Sequence, residues 1–573
     1  MAYQKVLLSD EHIPLQRKRQ CKNKRIVVFK PYSQNQQFLL PKNIDDFIGP
    51  GHIARLVSAI IDQMDISFIV DTYKGGGTSS YDPRMMLKSW ILGFINRVYS
   101  CRLVAKSLRE NLAFIWISGN QAPDFHTLND FRLRLKDDIK KVFKHIVQYA
   151  LEQGIIDAKD VFVDHTKNEA NANKHKIVWR KQVEKQSNKI DEELDELFKY
   201  IDELNEREEK IFGSKDLPEQ ERAGFDNDKV RHIIDKINKN VKEEIINREE
   251  GCEQREKVRR TKQLLERKEQ YENKKSILNG RNSYAKTDHD AVGMMMKDKL
   301  TIKPGYNEGI AVENGIVLNY VISDNCADNV SFIPLMDGVI NNLGRIPENT
   351  NADSAYGNEE NHEYLEKQKI GNYLKYNSYH KEKSQSWKNK KIRLQDFTYD
   401  EKNDEFTCKN NIMLSLEKEQ EEQTKTGYVR KIKNYAPKSG SCTNCPFHAK
   451  CTKGKDRSLQ VGWNAERLKQ QARENLNSDK GKELRKRRGY EVESVFGDEK
   501  LNKLKRRYHL RGLQKVHLET GIYYIAHNIR RIHVVSNKKL SNKNPLKLQK
   551  NEKPHNNNST LLFSISNRIK NYF

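Results

Sequence analysis

Two aspartates and a glutamate, far apart along the chain, have the settings that metal ligands need. Asp164 follows Val161-Phe162-Val163, a β-branched and aromatic run that reads as a buried strand. A carboxylate at the end of such a strand is held rigidly at the rim of a core, where it can bind a cation. The plainer reading is a strand-end Asp capping a turn, and partner carboxylates decide between the two. Asp353, within Asn351-Ala352-Asp353-Ser354-Ala355-Tyr356-Gly357, again stands at an element end, before a turn and a polar helix. A further acidic candidate lies in the helix predicted across 487–500. Glu493 and Lys500 are two turns apart there and share a face, and Glu491 is the rival ligand.

The stretch between Asp353 and Glu493 holds a second kind of chemistry. Cys442-Thr443-Asn444-Cys445-Pro446 is a Cys-x-x-Cys knuckle; Cys451 follows, and Cys408 can return as a fourth ligand. Four thiolates satisfy a closed tetrahedral zinc site, with His448 able to replace one of them. The alternative is free thiols in a reducing compartment.

The chain has 573 residues, too many for one ordinary core, so several domains are expected. Lys and Arg number 104 against 79 acidic residues, a formal charge of +25 that suits a polyanion, by default nucleic acid. No stretch approaches a membrane span, and the N-terminus lacks the pattern of a secretion signal. Eight cysteines are too sparse for a disulfide scaffold, which points to a cytoplasmic protein, nucleoid-associated if its partner is DNA.

The elements that must position these groups follow from periodicity. Ile53, Leu56, Ile60, Ile61 and Met64 share one helical face, and Leu87, Trp90, Ile91, Phe94 and Val98 form another stripe after Pro83. A helix over Leu103 to Asn111 and one opening at Thr127, as its cap, suit a helix-turn-helix; Arg132 and Arg134 on the second are candidate DNA contacts. A further helix over 137–157 leads into the strand at Val161. From Lys174 to about Asn279 the chain is dense in charge. Ile190, Leu194, Leu197, Ile201 and Leu204 make a coiled-coil seam; a break at 213–224 and a run through Val230, Ile234, Ile237 and Val241 follow. An antiparallel helical hairpin is expected, either a spacer or a surface for self-association or DNA. Asn314-Gly315 between Ile310-Ala311-Val312 and Ile316-Val317-Leu318 predicts a two-residue β-hairpin, and Phe332 to Leu343 a helix. Val516 to Ile532 reads as a closing helix, and the chain from about Asn537 as a disordered tail.

These residues carry a resemblance. Tyr81-Asp82-Pro83-Arg84 with Val98-Tyr99-Ser100-Cys101-Arg102, Val163-Asp164-His165-Thr166-Lys167, Lys303-Pro304-Gly305-Tyr306-Asn307, Ala352-Asp353-Ser354-Ala355-Tyr356-Gly357, and Glu493-Ser494-Val495-Phe496-Gly497 with Lys500 occur in one order. In this the chain resembles DDE transposases of bacterial insertion sequences, specifically the family numbered 1182, over roughly residues 45–535. The resemblance implies a ribonuclease-H-like core with Asp164, Asp353 and Glu493 as the acidic triad. It implies two Mg²⁺ or Mn²⁺ ions bound by that triad, which activate and stabilise the oxygens of phosphodiester cleavage and strand transfer. Lys500, with Arg487 and Arg488, would contact DNA. Three departures stand out, one being the unusually basic region before Glu493, which leaves open which Arg matches the family's. The strand before the second Asp is polar here, Asn349-Thr350-Asn351-Ala352, and Lys409 stands where the family usually has Pro after the first Cys.

The expected class is α/β, a ribonuclease-H-like mixed sheet with a helical N-terminal domain, a coiled-coil insertion and a Cys-rich insertion. The expected boundaries are a flexible basic N-terminus over 1–44 and a helical DNA-binding domain over 45–157. The core comprises 158–173 and 280–375, interrupted by the hairpin over 174–279. The cysteine insertion covers 376–475, the C-terminal catalytic helices 476–535 and the basic tail 536–573. The expected partners are terminal inverted repeats, target DNA and a second copy of the chain, without membrane. The alternatives are a related nuclease that does not join ends, and a DNA-binding protein with an inactive site.

Overall fold

The computed structural model describes residues 43–73, 79–212, 248–296 and 300–543. The basic N-terminus to residue 42, the break at 213–224, the run from Val230 to Val241 and the tail beyond Lys543 lie outside these residues. Contacts divide the chain into Met1–Gly49 and Pro50–Phe573. In the first unit, Asn43 caps a 3-10 turn at Ile44–Phe47.

The second unit begins with seven helices: α1 (Ile53–Gln63), α2 (Ser67–Val70), α3 (Pro83–Ile95), α4 (Cys101–Glu110), α5 (Leu112–Ile117), α6 (Phe125–Arg134) and α7 (Ile139–Glu152). Pro83 occupies the first turn of α3, where its missing N–H costs nothing, and the Asp82 carboxylate accepts the N–H groups of Arg84 and Met85. α3 is buried on all sides, because the C-terminal helix also packs on it. Asp124, not Thr127, caps α6; its carboxylate accepts the Thr127 N–H at 2.7 Å. The short helix α5 stands between the helices expected at Leu103 to Asn111 and from Thr127, in a stretch for which the sequence suggested no helix.

The central sheet follows. β1 (Asp160–Glu169) runs antiparallel to β5 (Ile302–Glu313) and parallel to β7 (Asn349–Gly357), which pairs in parallel with β8 (Gly371–Tyr376). The far edge of β5 carries β4 (Val292–Met295) and β6 (Ile316–Ser323). This order, an antiparallel group joined through β1 to two parallel strands, is consistent with a ribonuclease-H-like core. Asn314 and Gly315 turn β5 into β6 with φ of 53° and 75°, the left-handed values a primed turn requires. The Asn349–Ala352 segment is polar yet buried. Asn351 Nδ2 donates to the Tyr373 carbonyl and Asn349 Nδ2 to Asp160, so both amide nitrogens are paired.

Side chains alternate across β1. Phe162, Asp164 and Thr166 face α15 (Asp479–Gly497) and the turn after it; His165 faces the side covered by α10 (Phe332–Leu343). Gly344, at φ 69°, closes α10. α11 (Glu359–Lys367) and α14 (Trp463–Asn477) pack on β8, and α16 (Leu513–Lys543) on β6, α3 and α7. Helices therefore cover both faces of the sheet. α16 runs eleven residues past Ile532, so 536–543 are helical rather than tail.

Between β1 and β4 the chain makes a two-stranded ladder, β2 (Ile177–Trp179) with β3 (Ser283–Ala285), at the base of α8 (Arg180–Phe212) and α9 (Arg248–Leu278). The pairs Ser187 with Lys275, Asp191 with Lys268 and Tyr200 with Lys257 run in opposite directions, so the helices are antiparallel. Ile190, Leu194, Leu197 and Phe198 pack against Leu264 and Tyr271. After β8, and past the short α12 (Gln385–Lys390), comes a five-stranded antiparallel sheet: β9 (Thr398–Asp400), β10 (Glu405–Thr407), β11 (Met413–Gln423), β12 (Val429–Ala436) and β13 (Leu459–Val461). Phe397, Phe406, Leu414, Tyr435, Leu459 and Val461 form its core. The one-turn helix α13 (His448–Cys451) carries the last cysteine.

Candidate active site

Asp164 lies inside β1, not at its end. Thr166 to Glu169 continue the strand because β5 goes on pairing with them. What ends at Val163 is the pairing with β7, whose last partner before an irregularity is Ala352. Asp164 and Asp353 are thus each the next residue past one pair, level with each other where the two strands separate.

Their carboxylates converge on one cation. Arg488 Nη2, from α15, is 3.3 Å from Asp164 Oδ2 and 3.9 Å from Asp353 Oδ2. Lys375 Nζ, on β8, is 3.8 Å from Asp353 Oδ1. Burial pushes the Asp353 carboxyl up, but the Ser354 N–H, Arg488 and Lys375 outweigh it, and its pKa falls below the ordinary value. On the opposite face of the sheet, His165 Nδ1 hydrogen-bonds the Tyr356 hydroxyl, tying β1 to β7 under the carboxylates. Burial holds the His165 imidazole down at about 4, so the ring is neutral. Its partner across the β5 ladder is Gly309, where a Cβ would lie 2.3 Å from His165 Nε2.

The other sequence candidates are placed as follows. Glu493 is on α15, five residues past Arg488, and exposed. The sheet-facing side of that helix carries Leu484, Arg488, Glu491, Val492 and Val495 instead. Glu491 Oε2 accepts the Gly315 N–H at 2.9 Å, so the rival carboxylate is occupied at the β5–β6 turn. Lys500 does not continue the face of Glu493. The helix ends at Gly497 in a π-helical turn, Asp498–Asn502, and Lys500 reaches the Thr166 hydroxyl beside the acid pair. Arg487 Nη1 binds Asp160 Oδ2 at 2.6 Å, at the start of β1. Arg132 is buried, its guanidinium 4.5 Å from the Trp90 ring centre and bonded to Asn129. It belongs to the core of the helical region, while Arg134 is exposed over Tyr73.

Lys375 is the site residue that the sequence reading missed. Its signal was a lysine in an alternating strand, next to the buried Leu374 and Tyr376.

The four cysteines, 408, 442, 445 and 451, line one small cavity of about 20 Å³ with His448 in its wall. The backbone N–H groups of Asn410 and Ile412 point at Cys408 Sγ, at 3.3 and 3.4 Å. Among the described residues, however, no group of three or more His, Cys, Asp or Glu side chains is set in metal-holding geometry, here or at the acid pair.

Two stretches match family models: residues 42–134 match "Transposase domain (DUF772)" and residues 407–533 match "Transposase DDE domain". No curated protein and no solved structure matches the chain. The two matches support a DDE transposase of the insertion-sequence type, an enzyme class that acts on DNA and typically uses divalent ions such as Mg²⁺. The second match includes α15 with Glu493 and the four cysteines; Asp164 and Asp353 lie between the two. No helix among the described residues is long and apolar enough to cross a membrane.

Proposed function

We propose that the chain is the transposase of an insertion sequence, of the family numbered 1182, which cleaves the ends of its element and joins them to target DNA. The observation that carries this reading is the convergence of Asp164 and Asp353 on the single Arg488 nitrogen, at the fork between β1 and β7.

A point where two carboxylates already share a cation suits Mg²⁺ or Mn²⁺, both of which take oxygen ligands. Asp164 and Asp353 would hold the ions; the resemblance adds Glu493 as the third ligand, which in this structure is exposed on a side of α15 other than the one that carries Arg488. Two ions bound there would neutralise the charge of a phosphodiester and lower the pKa of an attacking water. The chain's residues then orient the reaction. Arg488 and Lys500, beside the carboxylates, hold the phosphate being cut. Water attacks that phosphorus; its O–P bond forms as the bond to the 3′-oxygen breaks, leaving a free 3′-hydroxyl. That hydroxyl attacks a target phosphodiester in the same way, forming one ester bond as another breaks. No covalent enzyme intermediate is required.

Arg134, with α4 to α6, would contact the terminal repeats. Both ends must be held at once, so the working form on DNA is at least a dimer, and the α8–α9 hairpin, a coiled coil in this reading, offers a surface for it. The four cysteines would take a structural Zn²⁺, helped by the N–H groups aimed at Cys408, after a small inward adjustment of the thiols.

Mn²⁺-dependent nicking of a duplex carrying the element's end tests the reading, with wild type beside Asp164→Asn, Asp353→Asn and Glu493→Gln. Losses of about a thousandfold or more are expected for each. Undiminished nicking by Asp164→Asn would remove the mechanism.

A further inference from the structure

Beyond the acid pair, the second half of β1 leads to a cavity of about 450 Å³ whose lining is strongly basic. Lys174, His175, Lys303, Arg507 and Arg511 line it, against one acid, Glu169, which Lys303 already pairs. The segment 506–511 is laid against the end of β1: the Tyr508 N–H donates to the Glu169 carbonyl at 2.9 Å, and Glu169 bridges Arg507 in parallel. That placement pins the two guanidinium groups from behind. Arg507 Nε donates to the Ala170 carbonyl at 3.1 Å, and its Nη2 to Asn171 Oδ1 and the Ala172 carbonyl. Arg511 Nε donates to the Asn171 carbonyl at 2.8 Å. Nη1 of Arg507 and both Nη atoms of Arg511 make no hydrogen bond among the described residues, and both side chains are exposed. An Arg whose stem side is fixed by carbonyls loses little freedom on binding and presents its fork to an anion.

We propose that this cavity is a phosphate-backbone site for the DNA strand that leaves the acid pair along β1. The proposal rests on the DNA reading above. Five residue steps along β1 take Asp164 to Glu169, about 16 Å at ~3.3 Å each, or roughly five base-pair steps of duplex. Lys500 lies between them, at the Thr166 hydroxyl, so a cation stands along the path from the acid pair to the cavity. A protein partner would need apolar anchors, and the cavity offers few beyond Ala170, Ala172 and Pro304.

The test is fluorescence anisotropy of the full chain with a labelled duplex of about 30 base pairs and arbitrary sequence, over a range of KCl concentrations. Each phosphate contact contributes about 0.9 to the slope of log K against log salt. Arg507→Gln/Arg511→Gln should flatten the slope by about two and weaken binding about tenfold or more at moderate salt. Arg507→Lys/Arg511→Lys, which keeps the charge, should retain most of the slope. If the Gln pair has the wild-type slope while wild type still nicks DNA with Mn²⁺, the site is refuted and the transposase reading stands. Wild type that neither binds nor nicks DNA removes both. Should the Gln pair not fold, wild type on a duplex with methylphosphonates about four to six steps from the cut phosphate decides: weaker binding supports the site, and unchanged affinity overturns it.

Discussion

Asp164 and Asp353 stand level with each other one residue beyond Val163 and Ala352, where the parallel ladder of β1 and β7 breaks. The fork separates the backbones enough for both carboxylates to turn toward α15, and Arg488 fills the space between them.

Arg488→Ala leaves two carboxylates facing each other without their shared cation. The apo protein should lose about 1 kcal/mol at neutral pH and low salt, a modest amount because both acids are partly solvated. Mn²⁺ should restore more stability to this variant than it adds to wild type, read as the shift in melting temperature with and without the ion. Equal shifts would mean that Arg488 and the ion do not compete for one place.

Gly309→Ala should be among the most damaging small substitutions in the sheet. Its Cβ would meet the His165 ring far inside contact distance, and overpacking of this kind typically costs 1–3 kcal/mol or more. Combining it with His165→Ala should recover part of the loss, and chemical denaturation of the four proteins gives the coupling. A purely additive pair would contradict the packing described.

Much of this was legible in the sequence and some was not, for identifiable reasons. The turn at Asn314-Gly315 and the helix ending at Gly344 are local matters of left-handed backbone, so they read directly. The polar Thr166-Lys167-Asn168-Glu169 lies past the strand end expected at Asp164, yet it is strand because β5 supplies the backbone partners and Asn168 Nδ2 donates to Glu308 and Glu499. Tertiary pairing of that kind leaves no trace in hydrophobic alternation. Arg487 and Arg488 read as free cations for DNA because the acids that hold them, Asp160, Asp164 and Asp353, lie hundreds of residues away.

The cluster around Asn168 carries a pH signature. Glu499 is fully buried beside Glu308, and burial with that second negative charge pushes its carboxyl up to about 7, although Lys505 bonds it at 3.0 Å. A raised folded-state pKa means that the native protein binds a proton the unfolded chain has released. Stability from this group is full below about 4.5 and declines as pH rises to about 7. Glu499→Gln keeps the shape and removes the titration, so its stability should vary less across that window, by an amount on the order of 1–3 kcal/mol. Parallel curves for the two proteins in urea melts at several pH values would show that Glu499 does not titrate there.

Arg132 and Arg134 should separate stability from binding. Arg132→Ala removes a buried cation stacked on Trp90 and is expected to cost about 1–3 kcal/mol in a thermal melt. Arg134→Ala should leave the melt within about 0.5 kcal/mol and lower affinity for DNA. The reverse pattern would reassign the two side chains.

Metal analysis of purified protein should find about one Zn²⁺ per chain if the thiols around Cys408 act together. Cys442→Ser should abolish it and lower the melting temperature, without changing the Mn²⁺ requirement of nicking. Wild type free of zinc after expression with the metal supplied would leave the cysteines as packing residues of the five-stranded sheet.

The chain departs toward α8 at Trp179 and returns from α9 at Ser283, and these two residues face each other in one short ladder. Everything between them is a detour whose ends stay about 4.8 Å apart, whatever its length. Lengthening or shortening such an excursion shifts only a slowly growing closure entropy. A shortened gene joining the ladder through a tight turn should yield a protein with the same sheet, so descendants of this chain are free to vary in size here while their catalytic strands keep register.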